Sequence, residues 1–470
     1  MYFNQSEDKQ NIKVLYLASL SVIALMTFLA WPGSLYFLND DLVHIPLAAK
    51  GQIGHHNSIR YVGDLSLKTD AFFWGKNPFG FHLTNLLLHL TNTFLLLAVI
   101  KETGKYIGVT PGYFITCFTP LLFCFYGLHS DAIFWIIGRS ASLGCLFFLG
   151  TVFLFCRRQQ TIPAFLLTLA CWIAALFSYE SVWVLPFLLF ILYQYRRQAP
   201  KKKSKGHLLL LWMIAFISGG YLVYRVWVTS EWLGTYEAAE IVQMNIPVLS
   251  VNFFKLVLRT LIPAQKSTLL FAAFAAAFVI IYGFFSAIVL LEKSRRMPWA
   301  LFHAAWLFSY APYLSLGISI HSIESERFLY LPSVFFCVAL SYTLSSLYKK
   351  YPQPHFLFIP LALFGMHVYL LQSAANSYSL AGKTVKTTYL EIGKIKAGET
   401  IEIEKLPETI NGIPVFRSGF TEGGLWLITD IDSIKLILKS TAIFPTGPVV
   451  PIIHKTEAGV WVLAYEFSPI

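Results

Sequence analysis

The sequence predicts an all-α polytopic membrane protein of about eleven transmembrane helices, followed by a small β-rich domain. Three observations carry that prediction. Hydrophobic residues make up 56% of the 470, aromatic residues 16% and charged residues 13%, with a mean hydropathy of +0.60, far from the composition of a soluble chain. Basic residues come in short clusters separated by pairs of apolar runs. Past Ser377 the long apolar runs give way to short alternating ones.

The first apolar run, Val14 to Leu35, is too long for a signal-peptide core and has no small-residue cleavage site behind it, so it reads as a retained first span. The expected spans are 14–36, 79–100, 110–127, 132–156, 162–178, 181–195, 208–229, 267–291, 299–317, 328–347 and 356–373. The basic clusters are Lys9 with Lys13, Lys101 with Lys105, Arg157 with Arg158, the RRQAPKKKSK run at 196–205, KSRR at 293–296, and Lys349 with Lys350. With this set of spans every cluster falls on one side, which the positive-inside rule makes cytoplasmic, together with the N-terminus. The net charge of +11 therefore reports topology; the basic residues form no single patch with interleaved aromatics, and no nucleic-acid partner is expected. Loop 37–78, the hairpin at His129, the turn at Tyr179 and Glu180, loop 230–250, HSIESER at 321–327 and everything after 374 should face outward.

The division expected is a transmembrane domain over 1–375 and an extracytoplasmic C-terminal α+β domain over 376–470. The latter opens with a helix near 377–393 and continues through TIEIEKL, GLWLITD, SIKLILKS and GVWVLAYEF, separated by the turn signals NGIP, TGP and EAG. All six cysteines, Cys117, Cys124, Cys145, Cys156, Cys171 and Cys337, lie in expected spans, which argues for packing and against disulfides or a CxxC site.

Charged groups at a membrane boundary must be solvated or paired, and here they gather on the outward side. Asp40, Asp41, His55, His56, Arg60, His82, His129, Asp131, Arg139, Glu180, Glu326 and Arg327 all belong to it. Such a mixture suits a reaction in which an anionic leaving group departs and a hydroxyl loses its proton. The paired aspartates in YFLNDDLVHIP follow a helix, where carboxylates oppose the macrodipole, so capping explains them poorly. Adjacent His55 and His56 lack the i, i+4 spacing of a helical zinc site. The stretch VNFFKLVLRTLIP at 251–263 is amphipathic and reads as lying flat in the interface or as the start of the eighth span.

Four pieces, in order, resemble the GT-C membrane glycosyltransferases, and within them the tetratricopeptide-bearing transmembrane O-mannosyltransferases and their bacterial relatives. They are SIRYVGDLSLKTDAFFWGKNPFGFHLTNLLLHLTN (58–92), LHSDAIFWIIGRSASLGCLFFL (128–149), LFSYESVWVLP (176–186) and ESERFLYLPSV (324–334). Asp40 and Asp41 match the family's acidic motif in the first outward loop, and the resemblance covers about residues 30–345. Tyr61 stands where the family has proline and Tyr179 where it has lysine, and a short β-rich domain stands in place of the helical repeats. LPETINGIPVFRSGF (406–420) is similar to a segment of bacterial members, which implies a bacterial inner membrane.

The resemblance implies a GT-C-like fold and a hexosyl- or pentosyltransferase. Such an enzyme takes a sugar from a polyprenyl-phosphate donor and gives it, on the extracytoplasmic face, to a hydroxyl of a protein, lipid or envelope glycan. It also assigns roles. Asp40 or Asp41 is the base, with Asp41 slightly preferred; Arg327 first, then Arg60 and Arg139, bind the donor phosphate, since an arginine fork suits phosphate. His82, His129, Asp131, Glu180 and Glu326 line the substrates or support those that do. Asp40, Asp41, His55 and His56 offer ligands for magnesium or manganese, and the sequence does not decide whether a metal is used. The competing classes are a transporter or flippase, which the lack of an inverted repeat disfavours, and a non-catalytic scaffold for envelope glycan assembly.

Overall fold

A computed structural model of the chain describes residues 20–54, 59–157, 161–197, 205–229, 245–395, 398–416, 422–429, 434–444, 449–457 and 460–467. The helical part runs through α1 (20–29), α2 (Asp41–Ala49), α3 (Tyr61–Trp74), α4 (Pro78–Ile107), α5 (Tyr113–Cys124), α6 (Ser130–Phe134), α7 (Arg139–Phe155) and α8 (Ile162–Leu176). It continues through α9 (Leu185–Arg197), α10 (Lys205–Thr229), α11 (Ile246–Leu261), α12 (Thr268–Leu290), α13 (Lys293–Phe308), α14 (Tyr330–Lys350) and α15 (Phe358–Ile392). Sequence punctuation sets several of these ends. α4 starts where the Asn77 side chain accepts from Phe79 N–H at 3.1 Å with Pro78 in the first turn, and it stops at Gly108 in the left-handed region.

Five described helices are long and apolar enough to cross a bilayer: Pro78–Ile107, Gly206–Thr229, Thr268–Leu290, Glu326–Lys350 and His355–Ile392. The shorter apolar helices Leu20–Ser34, Phe114–Cys124, Arg139–Phe155 and Ile162–Leu176 accompany them, so the protein is a multi-pass membrane protein. Their surroundings differ. Within its most apolar stretch α14 is 83% buried, whereas the same measure for α12 is 17%, with Leu269, Ile280 and Phe284 exposed. A helix apolar on every side and unburied by protein is one covered by lipid, so α14 is central and α12 peripheral. Cys124, Cys145, Cys156 and Cys337 are buried, and all six cysteines are free.

The segment beyond α15 folds into β1 (Thr400–Ile403), β2 (Leu406–Ile410), β3 (Ile413–Pro414), α16 (Glu422–Thr429), β4 (Lys435–Leu438), β5 (Thr441–Phe444), β6 (Val449–Lys455) and β7 (Trp461–Phe467). One sheet has the order β4-β1-β7-β6, with β1 parallel to both neighbours and β6 antiparallel to β7; the other has the order β3-β2-β5. Alternation in TIEI buries Ile401 and Ile403. They belong to one apolar core with Ile410, Ile413 and Val415, and that core also holds Leu38, Leu42 and Ile45 around α2. Within it α16 packs on the helix that begins at Asp41, while β2, β3 and β6 pack on α15.

Candidate functional site

The aspartate pair sits at a sharp entry to α2. Asn39 adopts a positive φ of 46°, a conformation asparagine tolerates better than most residues, and Asp40 and Asp41 follow at the helix start. This is an N-terminus, where carboxylates are favourable; the preceding helix ends well before it. Asp41 is fully buried, and its two oxygens accept the N–H of Leu38 at 3.0 Å and of Ile137 at 3.1 Å. Burial pushes its carboxyl well above the ordinary range, against the pull of those two N–H groups. Asp40 is half-buried at the same turn.

The partner of Asp41 is the 129–139 hairpin, a tight structure made feasible by Gly138, where any Cβ would overlap the Asp131 carbonyl. Trp135 Nε1 donates to the Leu38 carbonyl at 3.3 Å, closing the same contact. Arg139, fully buried, donates from Nε to Asn85 Oδ1 at 2.9 Å, from Nη1 to Asp70 Oδ2 at 2.5 Å and to Ser66 Oγ at 3.1 Å, and from Nη2 to the Phe81 carbonyl at 2.7 Å. Its fork ties α3, α4 and the hairpin together. His82, buried on α4, meets the Tyr36 carbonyl at 3.2 Å.

A second group joins the hairpin to the entry of α14. The Asp131 carboxylate accepts from Tyr378 OH at 2.6 Å and faces Arg327 Nη1 at 3.5 Å; the guanidinium lies 4.8 Å over the Trp135 ring. Burial raises the Asp131 carboxyl above its usual range, opposed by Arg327 and Tyr378. Glu326 accepts from Ser130 Oγ at 2.5 Å and from Arg259 Nη2 at 2.8 Å. His129 Nε2 stands 2.7 Å from Ser333 Oγ. Arg259 is fully buried at the end of α11. The interface reading of 251–263 missed this pairing, which no local pattern announces.

The third group is open. Arg60 Nη2 donates to Glu180 Oε2 at 3.0 Å and lies 4.7 Å over Tyr179, and Arg225 Nη1 approaches Glu180 Oε1 at 3.7 Å. Although burial raises the Glu180 carboxyl, the two arginines outweigh it and hold it below the ordinary range. All three line a cavity of about 290 Å³ whose other walls include Trp183, Phe187 and Phe308. Phe187 is 60% exposed and Phe308 41% exposed, so the apolar wall reaches the flank of the bundle. Two guanidinium groups and a carboxylate border an apolar chamber, a combination that suits an amphiphilic anion. Arg225 was missed by the sequence reading, although an arginine in the apolar run YLVYRVWV is itself the signal that could have found it.

The sequence-predicted residues therefore fall into three neighbourhoods. Asp41 bonds the hairpin that Arg139 anchors, with Asp40 beside it at the same turn; Asp131, Glu326, Arg327 and His129 meet at the α14 entry; Arg60 and Glu180 line the cavity, to which Phe328, next to Arg327, also contributes. His55 and His56 lie outside the described residues. Among the described residues no three His, Cys, Asp or Glu side chains gather as a metal site.

No family model matches the chain. It is 35% identical over 94 residues to the human protein O-mannosyl-transferase TMTC1, covering 20% of this chain and 10% of that protein. To human protein O-mannosyl-transferase TMTC2 it is 32% identical over 108 residues, covering 23% and 12%. The matched stretches thus span about a tenth of these curated relatives. In structure it is similar to ArnT from Cupriavidus metallidurans, solved bound to undecaprenyl phosphate, with a TM-score of 0.50, 10% identity, and coverage of 94% of this chain and 93% of that one. The likeness in fold thus extends over nearly the whole chain, and the likeness in sequence is local.

Proposed function

We propose that this chain is a GT-C-type membrane glycosyltransferase that moves a hexose or pentose from a polyprenyl-phosphate donor to an acceptor hydroxyl on the extracytoplasmic face. The observation that carries this reading is the cavity with Arg60, Glu180 and Arg225 at its polar side and Trp183, Phe187 and Phe308 along its apolar side. A lipid-linked phosphate needs both halves, and the lipid phosphate named with the ArnT structure has both.

In the reaction the acceptor O–H loses its proton to a carboxylate, the acceptor oxygen forms the new bond to the anomeric carbon, and the sugar–phosphate C–O bond breaks. The phosphate leaves with the electron pair and stays on its lipid. Asp40 is the base in this reading, because it is half-buried at the entry to α2, whereas Asp41 is fully buried. A positioned carboxylate contributes about 10²- to 10⁴-fold in rate. Arg60 and Arg225 meet the leaving phosphate, and Arg327 precedes the cavity-lining Phe328 in sequence. Arg139, with its fork spent on Asp70, Asn85, Ser66 and Phe81, holds the hairpin under Asp41.

The fuller topology belongs to the same proposal: about eleven spans, a cytoplasmic N-terminus, and a transmembrane unit over 1–375 joined through the continuous α15 to an outward unit over 376–470, in a bacterial inner membrane. The test compares cells carrying the unsubstituted protein with cells carrying Asp40→Asn at equal abundance. The variant should accumulate polyprenyl-phosphate sugar in lipid extracts and lose the corresponding glycan; undiminished transfer would overturn the assignment.

A further inference from the structure

The segment after residue 375 touches both chemical poles of the site just described, and touches them by different means. At the carboxylate pole, Asn39 N–H donates to the Val415 carbonyl at 2.9 Å, fixing the residue before Asp40 to the end of the β3 turn. α16 then lies on α2. A Cβ added at Gly423 would come within 2.8 Å of the Leu42 carbonyl and 3.2 Å of Pro46 Cγ, so only glycine permits this approach of helix to helix. Lys76 holds α16 as well, donating to the Trp426 carbonyl and lying 3.9 Å over its ring. At the arginine pole, Tyr378 on α15 donates to Asp131 at 2.6 Å, and the other oxygen of Asp131 faces Arg327.

We infer that the C-terminal segment is a positioning half of the active site rather than an appended acceptor-binding module. Val415 and Gly423 set the place of the Asp40 turn, and Tyr378, through Asp131, sets the place of Arg327. The inference rests on the transferase reading for its consequences in turnover, but the contacts themselves can be tested without it. The two poles also predict different losses. Displacing a base by a fraction of an ångström to 1 Å costs turnover and leaves donor binding alone. Letting the carboxylate that holds an arginine shift moves the arginine's charge out of place for an anion.

The experiment uses the full chain in nanodiscs and three readouts: hydrogen exchange, affinity for undecaprenyl phosphate, and transfer of labelled sugar from polyprenyl-phosphate donors. Gly423→Ala should speed exchange across 38–46 and lower turnover by roughly 10- to 10²-fold, with undecaprenyl phosphate affinity unchanged. Tyr378→Phe should speed exchange across 326–331 and weaken undecaprenyl phosphate binding about 3- to 10-fold. Gly283→Ala on α12, where an added Cβ meets nothing within 4 Å, should leave all three readouts unchanged. If Gly423→Ala does not fold, Lys76→Gln makes the same prediction with smaller amplitude. Folded variants with exchange as in the unsubstituted protein overturn the inference. An unsubstituted protein that neither binds undecaprenyl phosphate nor transfers sugar sinks the transferase reading instead, and the exchange data still decide the positioning.

Discussion

Arg139 with Asp70 and Arg60 with Glu180 and Arg225 are built from the same groups in opposite surroundings. The first pair is closed: the side chains are 1% and 8% exposed, and every contact of the guanidinium is with protein. The second opens onto a cavity, with Arg60 and Glu180 at 18% and 21% exposure and Arg225 on the other carboxylate oxygen. A buried pair that is complete holds elements in place; one that borders a chamber can take a ligand. Residue type does not separate the two roles, but enclosure does.

The closed pair should break hardest. Asp70→Asn strands a buried guanidinium and should cost about 3–5 kcal/mol of stability, seen as a large drop in the melting temperature of detergent-solubilised protein. A variant that melts like the unsubstituted protein would refute the scaffold role. The open cluster should break in function before fold. Arg225→Ala should lower melting less than Asp70→Asn does, since Glu180 keeps Arg60, and weaken undecaprenyl phosphate binding about tenfold, because it removes a charge-assisted contact to the anion.

A pH series sharpens the same contrast. Glu180 has its carboxyl held low by two arginines, so its contribution to stability is present above the ordinary glutamate pKa and is lost as pH falls through the lowered value. Melting temperatures measured from neutral to acidic pH should show this loss in the unsubstituted protein and a flatter profile in Glu180→Gln. The smallest effect belongs to neither cluster. Phe284→Ala on lipid-facing α12 should shift stability by no more than about 0.5 kcal/mol, since its side chain is covered by lipid before and after.

Much of this was legible in the sequence, and the limits are physical. Long apolar runs are specified locally, and residues such as Asn77, Pro78 and Gly108 mark where α4 begins and ends. The short motifs at 128–149 and 324–334 could be singled out because hairpins and helix entries are local. Their pairings could not. Arg259 finds Glu326 across 67 residues and Tyr378 finds Asp131 across 247, and only the packing of α11, α14 and α15 brings them together. The aspartate pair shows the same divide: both carboxylates were identified as candidates, but neither their place at a helix start nor the full burial of Asp41 follows from NDDLVH.

The length of α15 has a further consequence. Its 35 residues, at about 1.5 Å each, make a rod of roughly 52 Å, against about 30 Å for the hydrocarbon of a bilayer. One continuous element therefore runs from the apolar layer to the strands that hold the Asp40 turn, and Tyr378 sits along it. A helix of this kind accommodates a thicker or thinner membrane by changing its tilt. Bilayer thickness becomes a variable of the carboxylate geometry, and lipid chain length a means of tuning it without touching a residue.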